Sequence, residues 1–157
     1  MKSEAPSVLT PRWYPLRPHP EQMRLLKSNA RFRVVPAGRR SGKTERSKRF
    51  LIRKALEPTP WADPRFFAAA PTFTQAKSIY WQDLKAMIPR YLLAKSPNET
   101  QLTIYLINGA QITVVGMDKP ERMEGRPWNG GILDEYANMK AHAWPENVRP
   151  ALSDRNG

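Results

Sequence analysis

The chain has 157 residues, a formal net charge of +12, 40% apolar residues, 16 prolines and no cysteine. That length suits one domain with a sizeable core; disulfides and cysteine-held zinc are excluded, so any metal must bind oxygen or nitrogen. Lys and Arg outnumber Asp and Glu by 26 to 14, which points to a polyanionic partner, nucleic acid first. No run approaches the ~18 apolar residues of a membrane span, and residues 1–20 lack the apolar middle of a signal peptide, so a cytoplasmic protein with no membrane partner is expected.

Prolines at 6, 11, 15, 18 and 20 make residues 1–20 an expected extended arm, in which Arg12, Trp13 and Tyr14 are candidates for stacking on a base. Residues 21–157 form the expected domain. "PEQMRLLKS" predicts a short helix with proline in its first turn, and "RFRVV" (31–35) reads as a strand. A helix is expected from Thr44 to Leu56, ended by Pro58. "RFFAAA" (65–70) is a second buried strand, followed by a helix capped by Thr72 or Thr74 that runs through Met87. "QLTIYLI" and "AQITVVGM", joined by Asn108-Gly109, predict a tight hairpin, because both turn residues tolerate positive φ. "GGILDEY" supplies another short core strand, and a last helix spans about His142 to Leu152. Strands alternating with helices imply an α/β fold with a parallel or mixed sheet between helices.

Residues 37–44, "AGRRSGKT", follow the phosphate-loop pattern G-x-x-x-x-G-K-[ST] except that Ala37 stands at the leading glycine, with Gly38 beside it. In such a loop the backbone amides around Ser41 and Gly42 wrap phosphates, Lys43 reaches the β- and γ-phosphates, and the Thr44 hydroxyl serves Mg²⁺. An apolar run before it and a helix after it supply the required order, with the helix N-terminus attracting anions. Hydrolysis needs a second element, and "GILDEYA" offers adjacent Asp134 and Glu135 at a strand's end. Alone, that pair reads as a solvated turn. Coupled to the loop, Asp134 is assigned to the magnesium shell and Glu135 to polarising the attacking water.

With "HPEQMRLL", "AGRRSGKT", "AAPTFTQAKSIYWQDL", "GMDKPERMEGRPWNGGILDEYANM" and "WPENVRPALSDRNG" in this order and spacing, the chain from His19 to Gly157 resembles the ATPase domain of the large terminase subunit, the DNA-packaging motor of tailed phages. The resemblance implies a P-loop NTPase, a three-layer sandwich with a mostly parallel central sheet. It further implies ATP and Mg²⁺ as cofactors, double-stranded DNA, the portal protein and the small terminase subunit as partners, a homo-oligomeric ring, and the host cytoplasm as the site of action. It makes Gln22 the reader of adenine, Arg39 and Arg40 candidates to face the γ-phosphate, and Arg122 or Arg126 the candidate contributed by a neighbouring subunit. The pattern departs at Glu124, where family members often carry arginine. A further strand with a coupling motif and a nuclease domain should follow Gly157, so the sheet is expected to be incomplete at the C-terminus, with little or no hydrolysis by this piece alone. The competing readings are a non-catalytic DNA- or capsid-binding remnant of a prophage terminase and a helicase-like P-loop ATPase.

Overall fold

The computed structural model describes residues 20–38 and 41–157. Residues 1–19 of the arm, with Arg12, Trp13 and Tyr14, and the loop residues Arg39 and Arg40 lie outside the described residues.

Two short helices open the described chain: α1 (Pro20–Lys27) and α2 (Lys43–Leu56). Strand β1 (Arg65–Ala70) follows, then a helical run in which α3 (Phe73–Ala76) passes through a π turn (Lys77–Trp81) into α4 (Gln82–Met87). Thr72, not Thr74, caps this run, its hydroxyl accepting the Gln75 amide at 3.2 Å. The hairpin strands β2 (Thr103–Tyr105) and β3 (Gln111–Gly116) come next, then β4 (Gly130–Leu133). A second π turn (Ala143–Val148) leads into α5 (Arg149–Ser153).

The sheet order is β2-β3-β1-β4. β1 runs parallel to both β3 and β4, while β2 is antiparallel to β3, so the sheet is mixed but mostly parallel. Parallel strands must be covered on both faces, and the alternation along β1 shows how. Phe66, Ala68 and Ala70 point into one core with Leu51, Ile52, Tyr80, Trp81 and Leu84 of the helices. Phe67 and Ala69 point into the other, with Met117, Met123, Trp128, Val148 and Leu152. Helices therefore flank the sheet as the outer layers of a three-layer α/β sandwich.

Two expectations are corrected. Residues 31–35 are not a strand: Val34 is 92% exposed and the segment pairs with none of the four strands of the described sheet. Side chains fix it instead. Arg33 donates to the carbonyls of Leu25, Ser28 and Ala30, Arg31 Nε donates to the Gly157 carbonyl at 2.6 Å, and the Phe32 ring meets Trp144 edge-on at 5.0 Å. The hairpin loop is also longer than two residues. Leu106 closes on Ala110 (N–O 2.8 Å) around residues 107–109, and Gly109 (φ 86) takes the left-handed position while Asn108 does not. This is a three-residue connection ending in a glycine bulge. Asn108 instead ties the loop to α2, its Nδ2 donating to the Ala55 carbonyl at 2.8 Å.

Gly131 is placed by contact. It lies opposite Phe67 in the β1–β4 ladder, and a Cβ there would sit 2.5 Å from three carbons of that ring. Because Phe67 is 1% exposed and packed on Trp128, the ring has nowhere to go. Gly131→Ala is expected to lower stability by ~1–3 kcal/mol, the usual cost of overpacking, seen as a lower urea midpoint with an unchanged slope.

Candidate nucleotide site

Residues 41 and 42 lead directly into the start of α2. Ser41 N donates to the Gly38 carbonyl at 3.4 Å, and Gly42, at φ 75 and ψ 12, turns the chain into the helix in a conformation that glycine adopts without penalty. The first helical bond runs from Arg46 N to the Gly42 carbonyl at 3.0 Å, and no side chain caps the end. The amides of Lys43, Thr44 and Glu45 thus lack intrahelical acceptors and carry the positive end of the helix dipole. Lys43 is exposed at this end. Gln22 of α1 lies against the same loop, its Nε2 donating to the Ser41 carbonyl at 3.1 Å.

The acids lie across from it. Asp134 directly follows β4 and is 8% exposed. Its Oδ2 accepts the Thr44 hydroxyl at 3.0 Å, a contact between residues ninety positions apart, and its Oδ1 accepts the Glu135 amide at 3.0 Å. Thr44 spends its single proton on that bond, which leaves its lone pairs for a cation. Glu135 is exposed and sits at φ 52, ψ 40, the left-handed region that non-glycine residues enter at a cost of ~1–3 kcal/mol. Strain of this kind, next to an acid that faces a helix start, marks a site whose backbone is held by its surroundings.

Sequence reasoning missed a third element. Tyr80, fully buried in the π turn, places its hydroxyl 3.3 Å from Asp134 Oδ2 and 3.3 Å from Ser47 Oγ. Burial, reinforced by the Asp134 carboxylate, pushes this phenol above its ordinary pKa, while the Ser47 contact pulls the other way. Tyr80 is therefore a neutral donor throughout the physiological range. An aromatic at a helical core position looks like packing, and no local spacing links it to a carboxylate 54 residues away. Beneath it, Lys48, 4% exposed, pairs with Asp83 of α4 and Glu45, pinning α2 to the helix that carries Tyr80.

The two remaining arginine candidates lie elsewhere. Arg122 and Arg126 are exposed, and among the described residues their side chains make no hydrogen bond or ion pair; the Arg122 amide donates to the Lys119 carbonyl at 3.1 Å. Arg126 lines a cleft of about 400 Å³ with Glu124, Pro127, Asn147, Pro150 and Asp154.

The donor set fits magnesium. A hydroxyl and a carboxylate supply hard oxygen, and Mg²⁺ is commonly held by one or two such groups together with substrate phosphates. Among the described residues no group of three or more His, Cys, Asp or Glu could hold a metal by itself. No described helix is long and apolar enough to cross a membrane.

An acid at the carboxyl end of a parallel strand, bonded to a threonine in the first turn of a helix, lies at the sheet edge where α/β folds bind their ligands. The chain belongs to the family of the terminase large subunit, T4likevirus-type, N-terminal, which it matches over residues 35–154. It is 25% identical, across 90% of its length, to the large terminase subunits of Thermus phage G20c and Thermus virus P23-45. It covers 32% of each, so it spans about a third of those relatives. Its fold is that of the large terminase ATPase domain of Thermus phage P74-26, with a TM-score of 0.73 at 24% identity over 90% of this chain and 62% of the other.

Proposed function

We propose that this chain binds Mg²⁺·ATP at residues 37–44 and serves as the ATP-hydrolysing motor module that drives double-stranded DNA into a phage capsid. The observation that carries this is the Thr44–Asp134 hydrogen bond, which joins the helix start after the loop to the acid after β4. The uncapped amides of α2 bind phosphate, and Lys43 adds a positive charge for the β- and γ-phosphates. Thr44 and Asp134 hold the magnesium shell; the ion, when bound, neutralises the charge on the phosphoryl oxygens. Glu135 polarises the attacking water, and Gln22, already seated on the loop, reads the base. Arg39, Arg40 and Arg126 are candidates for the γ-phosphate, Arg126 from a neighbouring subunit of a ring. The net charge of +12 draws the chain to DNA in a salt-dependent way. The portal protein and the small terminase subunit are the further partners of this role in the host cytoplasm.

Thermal unfolding with and without Mg²⁺·ATP tests the reading. A ligand at a hundred times its Kd stabilises a folded protein by ~2.7 kcal/mol, so a clear rise in Tm is expected, lost when Mg²⁺ is chelated. No rise at millimolar Mg²⁺·ATP would sink it. DNA binding that is salt-sensitive yet indifferent to ATP would favour the non-catalytic remnant.

Glu135→Gln separates binding from chemistry. ATP affinity should stay within about twofold, while phosphate release by a full-length terminase carrying this domain should fall by at least ~10²-fold, the usual contribution of a positioned base. Full turnover in that variant would remove Glu135 from the mechanism.

A further inference from the structure

Asp134 Oδ2 faces two hydroxyls, and only one of them belongs to the phosphate-loop helix. We infer that Tyr80 is a positioning residue for the magnesium site: its phenol, delivered by the π turn of the α3–α4 run, holds the Asp134 carboxylate in the orientation that directs the Thr44 hydroxyl toward the ion. This rests on the phosphate-loop reading above.

Proton counting supports the assignment. Ser47 Oγ donates to the Thr44 carbonyl at 2.7 Å, so its one proton is already placed within α2. The phenol of Tyr80 likewise has one proton, with Ser47 Oγ and Asp134 Oδ2 both 3.3 Å away. An ionised carboxylate only accepts, and a bond to it is about twice as strong as one between neutral groups, so the proton goes to Asp134. Each oxygen of Asp134 is then fixed: Oδ1 by the Glu135 amide, Oδ2 by Thr44 and Tyr80. Without Tyr80, Oδ2 would keep only the Thr44 bond beside the Glu135 amide on Oδ1, and the carboxylate would be held less firmly about its last torsion, which is broad.

The backbone points the same way. Tyr80 and Trp81 are consecutive and both fully buried. The π turn at Lys77–Trp81 breaks the regular register at that point, and such turns are uncommon within α-helices and frequent at functional sites. Trp81 has a separate anchor, its indole N–H donating to Glu99 at 2.7 Å, which leaves Tyr80 to face Asp134.

The test is Tyr80→Phe, which removes one oxygen and keeps the ring in the core. ATP binding is titrated by calorimetry against Mg²⁺ and again with Mg²⁺ chelated. The Mg²⁺ concentration at half-maximal tight binding should rise about fivefold or more, on the scale of a lost hydrogen bond to a charged group, while metal-free affinity stays unchanged. Loss of affinity to the same degree with and without Mg²⁺, or an unmoved Mg²⁺ midpoint, would overturn the role. A double-mutant cycle in urea gives the second readout. The stability loss from Tyr80→Phe should largely vanish in an Asp134→Ala background, where the acceptor is gone; an undiminished loss would show that the phenol serves packing or Ser47 alone. If the wild-type chain binds no Mg²⁺·ATP, the phosphate-loop reading fails and this one with it. A wild type that binds beside an indistinguishable Tyr80→Phe overturns this one only.

Discussion

Lys43→Ala is expected to abolish measurable ATP binding while leaving the fold intact. Lys43 is the first residue of α2 and is exposed, so its side chain supports neither core, and alanine is the best helix former available. What it removes is a full positive charge at the mouth of a loop whose other donors are backbone amides with partial charges. Hydrogen bonds to charged groups contribute ~1.5–3 kcal/mol each, and a lysine placed on two phosphates supplies at least two, so a loss of ~10²-fold or more in affinity follows. The check is isothermal calorimetry with Mg²⁺·ATP beside urea unfolding of the free variant. A variant that binds ATP as wild type does would show that phosphate does not lie at residues 37–44. Equal loss of stability and binding would instead assign Lys43 a structural part that its exposure argues against.

What the sequence revealed and what it hid divide along a physical line. "RFFAAA" was legible as buried strand β1 because every residue from Phe66 to Ala70 is buried, the mark of a strand covered on both faces. The position of Asp134, directly after β4, was legible because an apolar run that ends in an acid places that acid at the sheet's carboxyl edge. Residues 31–35 have strand composition, yet a strand exists only where a neighbour completes its ladder, and no composition reports the neighbour. The hairpin register was hidden for a similar reason: "NG" marks the turn, but the Leu106–Ala110 closure and the Asn108 contact with α2 decide the loop length. Tyr80 was the least visible, since its function depends on one oxygen meeting a carboxylate from a distant strand.

Phe67→Ala is expected to be the most damaging truncation in the domain. Of the two cores the sheet separates, the one beneath Phe67 is the smaller, so one ring is a larger share of its apolar volume. Phe67 is 1% exposed and meets Trp128 edge-on, with ring centroids 5.5 Å apart and planes at 87°. Such a pair adds ~0.5–1.5 kcal/mol beyond the area it buries, and removing a buried phenylalanine costs ~3–5 kcal/mol in all. Against a total stability of ~5–15 kcal/mol, that is a large share, and at the lower end of the range it leaves a substantially unfolded population. Collapse into the gap is limited, because Trp128 is fixed by its indole N–H on the Met123 carbonyl at 3.0 Å. The damage reaches the site through the backbone: Asp134 N donates to the Ala69 carbonyl at 2.9 Å, two residues along β1 from Phe67. Urea denaturation should therefore show a lower midpoint with an unchanged slope. ATP affinity should fall only in proportion to the unfolded fraction, and saturating Mg²⁺·ATP should recover part of the lost midpoint. An unfolding free energy within ~1 kcal/mol of wild type would mean that α5 and its π turn close over the cavity, and that this face of the sheet is more deformable than its packing implies.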